Sequence, residues 1–431
     1  MKKLKLHHWI LLAMVLGAGI GLPLNLAGER GAVDPEVVRE VAEVGEAIGG
    51  LFLSLLKMIV VPLIITSLIT GVTGIGDPRK LGRLGARTFA YYMATSAMAI
   101  TVGIVVVNLV QPGAGMGLGV LTLDTSASAS VHDAETSLGV ILWNQLTGMI
   151  PHNPVQATAE GDMLPVIFFT LLFGLFVSIT GGEHAERLRG LFESGFAVMM
   201  RMTMAIISLA PIGVFGFMLY AAAGSGLSAF AALGKYMLAV ALGLAVHAFL
   251  VLPALLTVVG RRSPWAFAKA MSPALLTAFS TASSNATLPL TMTSIEERAG
   301  VSNRVGSFVL PLGATVNMDG TALYEAVAVL FIAQAHGMHL SLSAQIVVAV
   351  TALLASIGAA GIPHAGTVMM VVVLDAVGLP ADAVGLILAV DRVLDMCRTT
   401  VNVWSDSVAA AVVARFEDGA DGEGFASSAT A

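Results

Sequence analysis

The chain has 431 residues, of which 56% are hydrophobic and only 12% charged, and its mean hydropathy is +0.87. Soluble domains carry about 25% charged residues, so a soluble globular fold is excluded and an all-α protein that crosses a membrane many times is expected. The net charge of −6 says little about partners, because most of the imbalance sits in terminal loops and the acidic stretch EDGADGE (417–423). A single cysteine, Cys397, rules out an internal disulfide framework and any multi-cysteine metal site.

In chain order, the apolar part of MKKLKLHHWILLAMVLGAGIGLPLNLA lacks a small-residue cleavage pattern, and reads as a retained first span. Lys2, Lys3 and Lys5 place the N-terminus in the cytoplasm. The acidic segment 29–46 fits the outside, a second span covers roughly 48–75, and DPRKLGRLGAR (77–87) belongs inside. No Lys or Arg occurs from Thr88 to Glu186. That gap holds a third span, a Gly/Ser/Thr-rich loop near 112–137, and apolar segments ending at GEHAERLRGL (182–191). A fifth span near 194–222 and a sixth near 234–259 follow, and Arg261 and Arg262 mark the inside again.

The alternation then breaks. Segment 264–303 contains AFSTASSNATLPLTM, too polar for an ordinary span, and both its ends carry charges suited to the cytoplasm. It is expected to be a re-entrant hairpin, which is tolerable at depth only where protein or a cavity surrounds it. The seventh span, about 305–335, is interrupted by GATVNMDGTALYEA (313–326). Segment 343–380 contains SIGAAGIPHAG (356–366), a second hairpin entering from the outside, and a last helix (383–414) returns to the cytoplasm. Two opposed hairpins, each followed by a helix with polar residues in its middle, form an inverted-repeat pattern. Secondary transporters build their sites from such discontinuous helices.

The polar residues of DRVLDMCRTTVNVWSD (391–406) are Asp391, Asp395, Arg398, Asn402 and Asp406, with steps of 4, 3, 4 and 4. On a helix they share one face. A solvated amphipathic helix would look similar, but charges at bilayer depth are costly unless they line a site. The deep acids are Asp319, Glu325, Asp391, Asp395 and Asp406, against Arg392 and Arg398. This surplus of carboxylates calls for bound cations or bound protons. Arg398 suits bidentate capture of a carboxylate, and a nearby Asp suits an ammonium, so an acidic amino acid fits. NMDG (317–320) reads either as a tight turn or as unwound backbone offering hard oxygens to a small cation. SIGAAGIPHAG is either a packing kink or a gate, and the hydroxyls of SSN (283–285) can simply bond back to their own helix. Tyr91, Tyr92, Thr95 and Ser96 are individually weak signals. An intramembrane hydrolase would have only His364 with Ser356 or Ser284 as raw material, and there is no HExxH.

The strings SSNATLP, PLGATVNMDGTALYEAVAVLFIAQ, ASIGAAGIPHAG and VDRVLDMCRTTVNVWSDS resemble the dicarboxylate/amino acid:cation symporter family, as do KLGRLGARTFAYYMATSAMAITVGI (80–104) and MIPHNP (149–154). That family holds excitatory amino-acid transporters, neutral amino-acid relatives and archaeal aspartate transporters. The resemblance implies a homotrimer in which each protomer has eight spans and two hairpins. A scaffold (1–76 and 112–232) would carry a mobile transport domain (77–111 and 233–416) that moves like an elevator, and 417–431 would be a cytoplasmic tail. It further implies sodium-coupled symport of L-glutamate and L-aspartate across the cell (inner) membrane, with both termini cytoplasmic and no organic cofactor.

By the same resemblance, Arg398 would bind the substrate's side-chain carboxylate, Asp395 its amino group, and Thr399 with Asn402 its α-carboxylate. Ala282, Ser283, Ser284, Thr321, Ile362 and Gly366 would complete the substrate site. A first sodium site maps to Gly313, Asn317, Asn402 and Asp406. A second maps to Thr315 and the carbonyls of Ser356, Ile357 and Ala359, and a third to Tyr92, Thr95, Ser96, Asn317 and Asp319. Glu325 matches the glutamate that carries a proton in the excitatory transporters. Met396 and Ala282 occupy the two positions where family members place an extra Arg, which argues against potassium counter-transport. Asn285 replaces a Ser and Ser405 a Gly. A proton-driven glutamate symporter and a C4-dicarboxylate carrier are the competing readings, the second opposed by Asp395, for which a dicarboxylate offers no ammonium.

Overall fold

The computed structural model describes residues 6–74, 78–114, 143, 147–358, 365–379 and 384–418. Among these the regular structure is helical throughout, with no strand. Helices α1 (Leu6–Glu29), α2 (Pro35–Gly74) and α3 (Pro78–Val110) lead into the short α4 (Pro154–Glu160), whose N-terminus is capped by the Asn153 side chain and started by Pro154. Helices α5 (Met163–Thr180) and α6 (Gly182–Ile207) precede α7 (Ala210–Val246), which runs through a π turn at His247–Val251 into α8 (Leu252–Val258). Then come α9 (Pro264–Thr281), α10 (Ser284–Thr293), α11 (Asn303–Val316), α12 (Asp319–Ala335), α13 (Leu342–Gly358), α14 (Ala365–Asp375) and α15 (Val384–Asp418).

Seven helical stretches of the described residues are long and apolar enough to cross a membrane: His8–Glu29, Pro35–Gly74, Arg83–Val110, Gly182–Ile207, Ala210–Leu227, Phe230–Val258 and Asn303–Ala335. Their identity departs from simple span counting in three places. The expected fifth span is broken at Ser208–Leu209, where Pro211 starts a new helix, while the break in α7 at Gly226, whose φ of 57° is left-handed, falls between the expected fifth and sixth spans. Asn25 from α1 donates to Ala223 O at 2.8 Å, tying the end of α1 to this second break. The last helix, α15, is missing from the seven because its polar face dilutes its hydropathy, and α5 is shorter than the rest. The acidic segment expected outside (29–46) is helical from Pro35 onward, so α2 is 40 residues long.

Packing falls into two groups. α1 lies along the first part of α7, and α2 packs on α7, α6 and α5. The other group surrounds α12, which touches α3, α7, α13, α14 and α15. α12 is the most enclosed element, with every residue except Gln334 buried. An apolar sequence explains most of that burial, but Asp319, Thr321 and Glu325 lie on the same helix and are buried with it. Large apolar side chains such as Leu51, Leu109, Phe249 and Trp265 remain exposed, as suits a surface whose solvent is lipid.

Candidate functional site

Two interruptions bring backbone into the interior. Helix α9 ends at Ala282, in a left-handed conformation at φ 52°, and Ser283 Oγ caps α10 by accepting from Ala286 N at 3.2 Å. α9 and α10 fold back on one another and both pack on α15. Ala282, Ser283 and Ser284 are buried at this junction. The second interruption lies between α11 and α12, where Asn317 (φ −102°, ψ 86°) and Met318 (φ −115°, ψ 61°) leave the helical conformation. A helix end there frees carbonyls from the ladder, and Asn317 and Asp319, both fully buried, flank it. The junction of α13 and α14, with Ala359, Ile362 and His364, lies outside the described residues.

The polar face of α15 meets this break. Asn402 Oδ1 accepts from Gly320 N at 2.8 Å and from Thr321 N at 3.3 Å, and Asn402 Nδ2 donates to Thr321 Oγ1 at 3.1 Å. One turn further on, Asp406 Oδ1 accepts from Asn317 Nδ2 at 2.9 Å. Gly313 abuts Asp406 so closely that a Cβ there would collide with the carboxylate and with Tyr92 Oη. Tyr92 donates to Val309 O at 2.7 Å. On the α3 side, Thr95 Oγ1 lies 3.5 Å from Asn317 Oδ1, and Ser96 Oγ donates to Asp319 Oδ1 at 2.6 Å. The first and third predicted ion sets, Gly313, Asn317, Asn402 and Asp406, and Tyr92, Thr95, Ser96, Asn317 and Asp319, therefore form one contiguous patch of oxygen-bearing groups. Oxygen-rich surroundings suit a hard cation. Among the described residues no cluster of three or more His, Cys, Asp or Glu side chains suits a transition metal.

Of the second ion set, Thr315 and Ile357 line a cavity of about 340 Å³ between α2, α6 and α11. Ser356 is buried next to Ile357, its hydroxyl bonded to Leu353 O at 2.9 Å.

The predicted substrate set is held two turns back along α15. Arg398 is buried and donates to Asp395 Oδ1 through Nε at 3.2 Å and Nη2 at 2.6 Å. Its Nη1 makes no hydrogen bond and lies 3.6 Å from Asp391 Oδ1. A Cβ on Gly366 would collide with that same Nη1, so α14 approaches the guanidinium closely. The Arg398 guanidinium sits 4.4 Å from the Tyr324 ring centre, and Tyr324 Oη donates to Asp391 Oδ1 at 2.7 Å. Thr399 is buried beside Arg398. Glu325, one residue past Tyr324, is fully buried, and neither carboxyl oxygen has a hydrogen-bond partner.

Sequence reasoning placed Asp391 on the polar face of α15 without a ligand role, and missed three further contributors. Asp391 and Tyr324 brace Arg398, Ser405 bonds both Asp319 (2.6 Å) and Asn317 (3.1 Å), and His247 Nε2 lies 3.0 Å from Asp319 Oδ2. His247 carried a readable signal, being an ionisable side chain inside the apolar run LAVHAFLV. Ser405 and Tyr324 carried none, because only the packing of α12 on α15 shows what they touch.

A family profile described as the sodium:dicarboxylate symporter family matches residues 6–416. The chain is 36% identical to the proton/glutamate-aspartate symporter of Escherichia coli strain K12, over 96% of this chain and 93% of that protein. It is also 36% identical to mouse excitatory amino acid transporter 3, over 94% of this chain and 85% of the relative. To the proton/sodium-glutamate symport protein of Bacillus caldotenax it is 33% identical, over 97% and 96% respectively. With a match of this length and relatives this similar, the chain belongs to the sodium:dicarboxylate symporter family, whose members are transporters and not enzymes.

Proposed function

We propose that the protein is a sodium-coupled symporter of L-glutamate and L-aspartate. The observation that carries this reading is α15 itself. It presents Arg398 and Asp395 to the junction with α14, and Asn402 and Asp406 to the broken α11–α12 pair. Arg398 and Asp395 satisfy one another. A substrate with both a carboxylate and an ammonium exchanges that internal pair for two external ones, so neither buried charge is stranded. Arg398 takes the side-chain carboxylate, Asp395 the ammonium, and Thr399 and Asn402 the α-carboxylate. Ala282, Ser283, Ser284, Thr321, Ile362 and Gly366 close around them. Sodium occupies the oxygen-rich sets around Asn317, with a further site at Thr315, Ser356, Ile357 and Ala359.

In this reading the chain has eight spans and two re-entrant hairpins, assembles as a homotrimer, and keeps both termini in the cytoplasm. Residues 77–111 and 233–416 move as one transport domain against the scaffold of 1–76 and 112–232. Proton co-transport accompanies sodium through Glu325. A fully buried carboxyl with no hydrogen-bond partner supports this, since an ionised carboxylate there would have no hydrogen bond to replace its lost hydration. The names of the relatives include both proton and sodium coupling.

The decisive test is radiolabelled aspartate uptake into proteoliposomes, with Na⁺, H⁺ and K⁺ gradients imposed one at a time. Accumulation driven by an inward Na⁺ gradient and independent of K⁺ is expected. Equal accumulation with and without the sodium gradient rules out sodium coupling.

A further inference from the structure

Ser405 belongs to none of the ligand sets above, yet it touches two of their members. Its side chain is fully buried, and Oγ donates to Asp319 Oδ2 at 2.6 Å while accepting from Asn317 Nδ2 at 3.1 Å. Those are the rear ends of both side chains. Their other oxygens face α3, where Asp319 Oδ1 meets Ser96 at 2.6 Å and Asn317 Oδ1 meets Thr95 at 3.5 Å. One hydroxyl therefore ties the amide and the carboxylate together, sharing Asn317 Nδ2 with Asp406 Oδ1 at 2.9 Å and Asp319 Oδ2 with His247.

Two neighbours brace the same point. His247 Nε2 lies 3.0 Å from Asp319 Oδ2, carried there by the π turn that begins at His247. Trp404 Nε1, next to Ser405, donates to Ala248 O at 3.1 Å and so ties α15 to that turn. Asp319 is thus gripped from α7 and α15 on one side and left facing α3 on the other.

Groups that orient a metal ligand from behind are worth about 10–100-fold in affinity when removed. We propose that Ser405 is a positioning residue for the cation site of Thr95, Ser96, Asn317 and Asp319, holding Asn317 Oδ1 and Asp319 Oδ1 toward the ion through their opposite atoms. The inference rests on the sodium reading above.

The test uses purified full-length protein with aspartate absent. The thermal midpoint is followed against NaCl concentration, with choline chloride keeping ionic strength constant, for wild type, Ser405→Ala and Ser405→Thr. Half-saturation by Na⁺ is expected to rise about tenfold or more in Ser405→Ala. The threonine variant, which keeps the hydroxyl, should recover most of the loss. Aspartate affinity measured at saturating Na⁺ should change far less, a split that general damage to the fold would not produce. Should the alanine variant fail to fold, Ser405→Gly removes the same oxygen without adding an atom and is titrated in its place. A wild-type response to Na⁺ with an unshifted response in the variant lacking the hydroxyl overturns this inference alone. No response of the wild type to Na⁺ overturns the sodium reading and this inference with it.

Discussion

At the scale of single residues, Arg398 is the side chain with most at stake. It is fully enclosed, and its charge is balanced by Asp395 at 2.6 Å and Asp391 at 3.6 Å, with the Tyr324 ring beneath it. Removing one member of a buried charged set costs about 3–5 kcal/mol, because the remaining charges lose their counterpart. Arg398→Ala should therefore abolish binding of aspartate and glutamate while leaving room for neutral amino acids. Binding of radiolabelled aspartate to the purified variant checks this, and unchanged affinity would remove Arg398 from the site. Glu325 poses the opposite case, a buried carboxyl with no bonded partner. In Glu325→Gln the amide cannot release a proton, so uptake should no longer respond to a pH gradient at fixed sodium. A persisting pH response places the proton on another group.

At the scale of elements, the site depends on helices that stop and restart. The break between α11 and α12 works only because Gly313, a turn before it, lets Asp406 lie against the backbone. In Gly313→Ala the added methyl would displace the carboxylate and Tyr92 Oη, which cannot both move aside in a packed interior. Half-saturating sodium for aspartate uptake should rise about tenfold or more, while a titration curve matching wild type would show that Asp406 lies elsewhere when the ion binds. Both interruptions were legible in the sequence. Polar runs such as ASSNA and VNMDG have no place in a lipid-facing span, and the 4-3-4-4 spacing on α15 shows one polar face without any structure. The partners of that face were not legible. Asn402 is visible as polar, but its bonds to the Gly320 and Thr321 amides exist only because α12 starts opposite it. The break at Gly226 falls in the gap expected between the fifth and sixth spans, and Asn25 of α1 contacts it. The π turn at His247 was hidden for a different reason: it sits in apolar sequence that reads as uninterrupted helix, and Trp404 of α15 bonds to it.

At the scale of the whole molecule, the proposed substrate and ion sets are joined through a short chain of contacts. Arg398 and Asn402 are one helical turn apart on α15, Asn402 bonds Thr321, and Asp406, a turn beyond, bonds Asn317. Asn317 in turn bonds Ser405, which bonds Asp319. Because α12 and α15 share these bonds, a shift at one proposed ligand set is expected to reach the other. A coupling of this kind is reciprocal by thermodynamic necessity: the factor by which sodium tightens aspartate binding must equal the factor by which aspartate tightens sodium binding. Couplings between sites typically amount to about 1–3 kcal/mol, or roughly 5–150-fold. Two equilibrium titrations on the same detergent-solubilised protein measure it, aspartate at a series of fixed NaCl concentrations and Na⁺ with and without saturating aspartate. Equal factors in this range are expected from both. An aspartate affinity that stays constant across the NaCl series would mean that the contacts between Asn402 and Asp319 carry no coupling, and that the two sets merely share a helix.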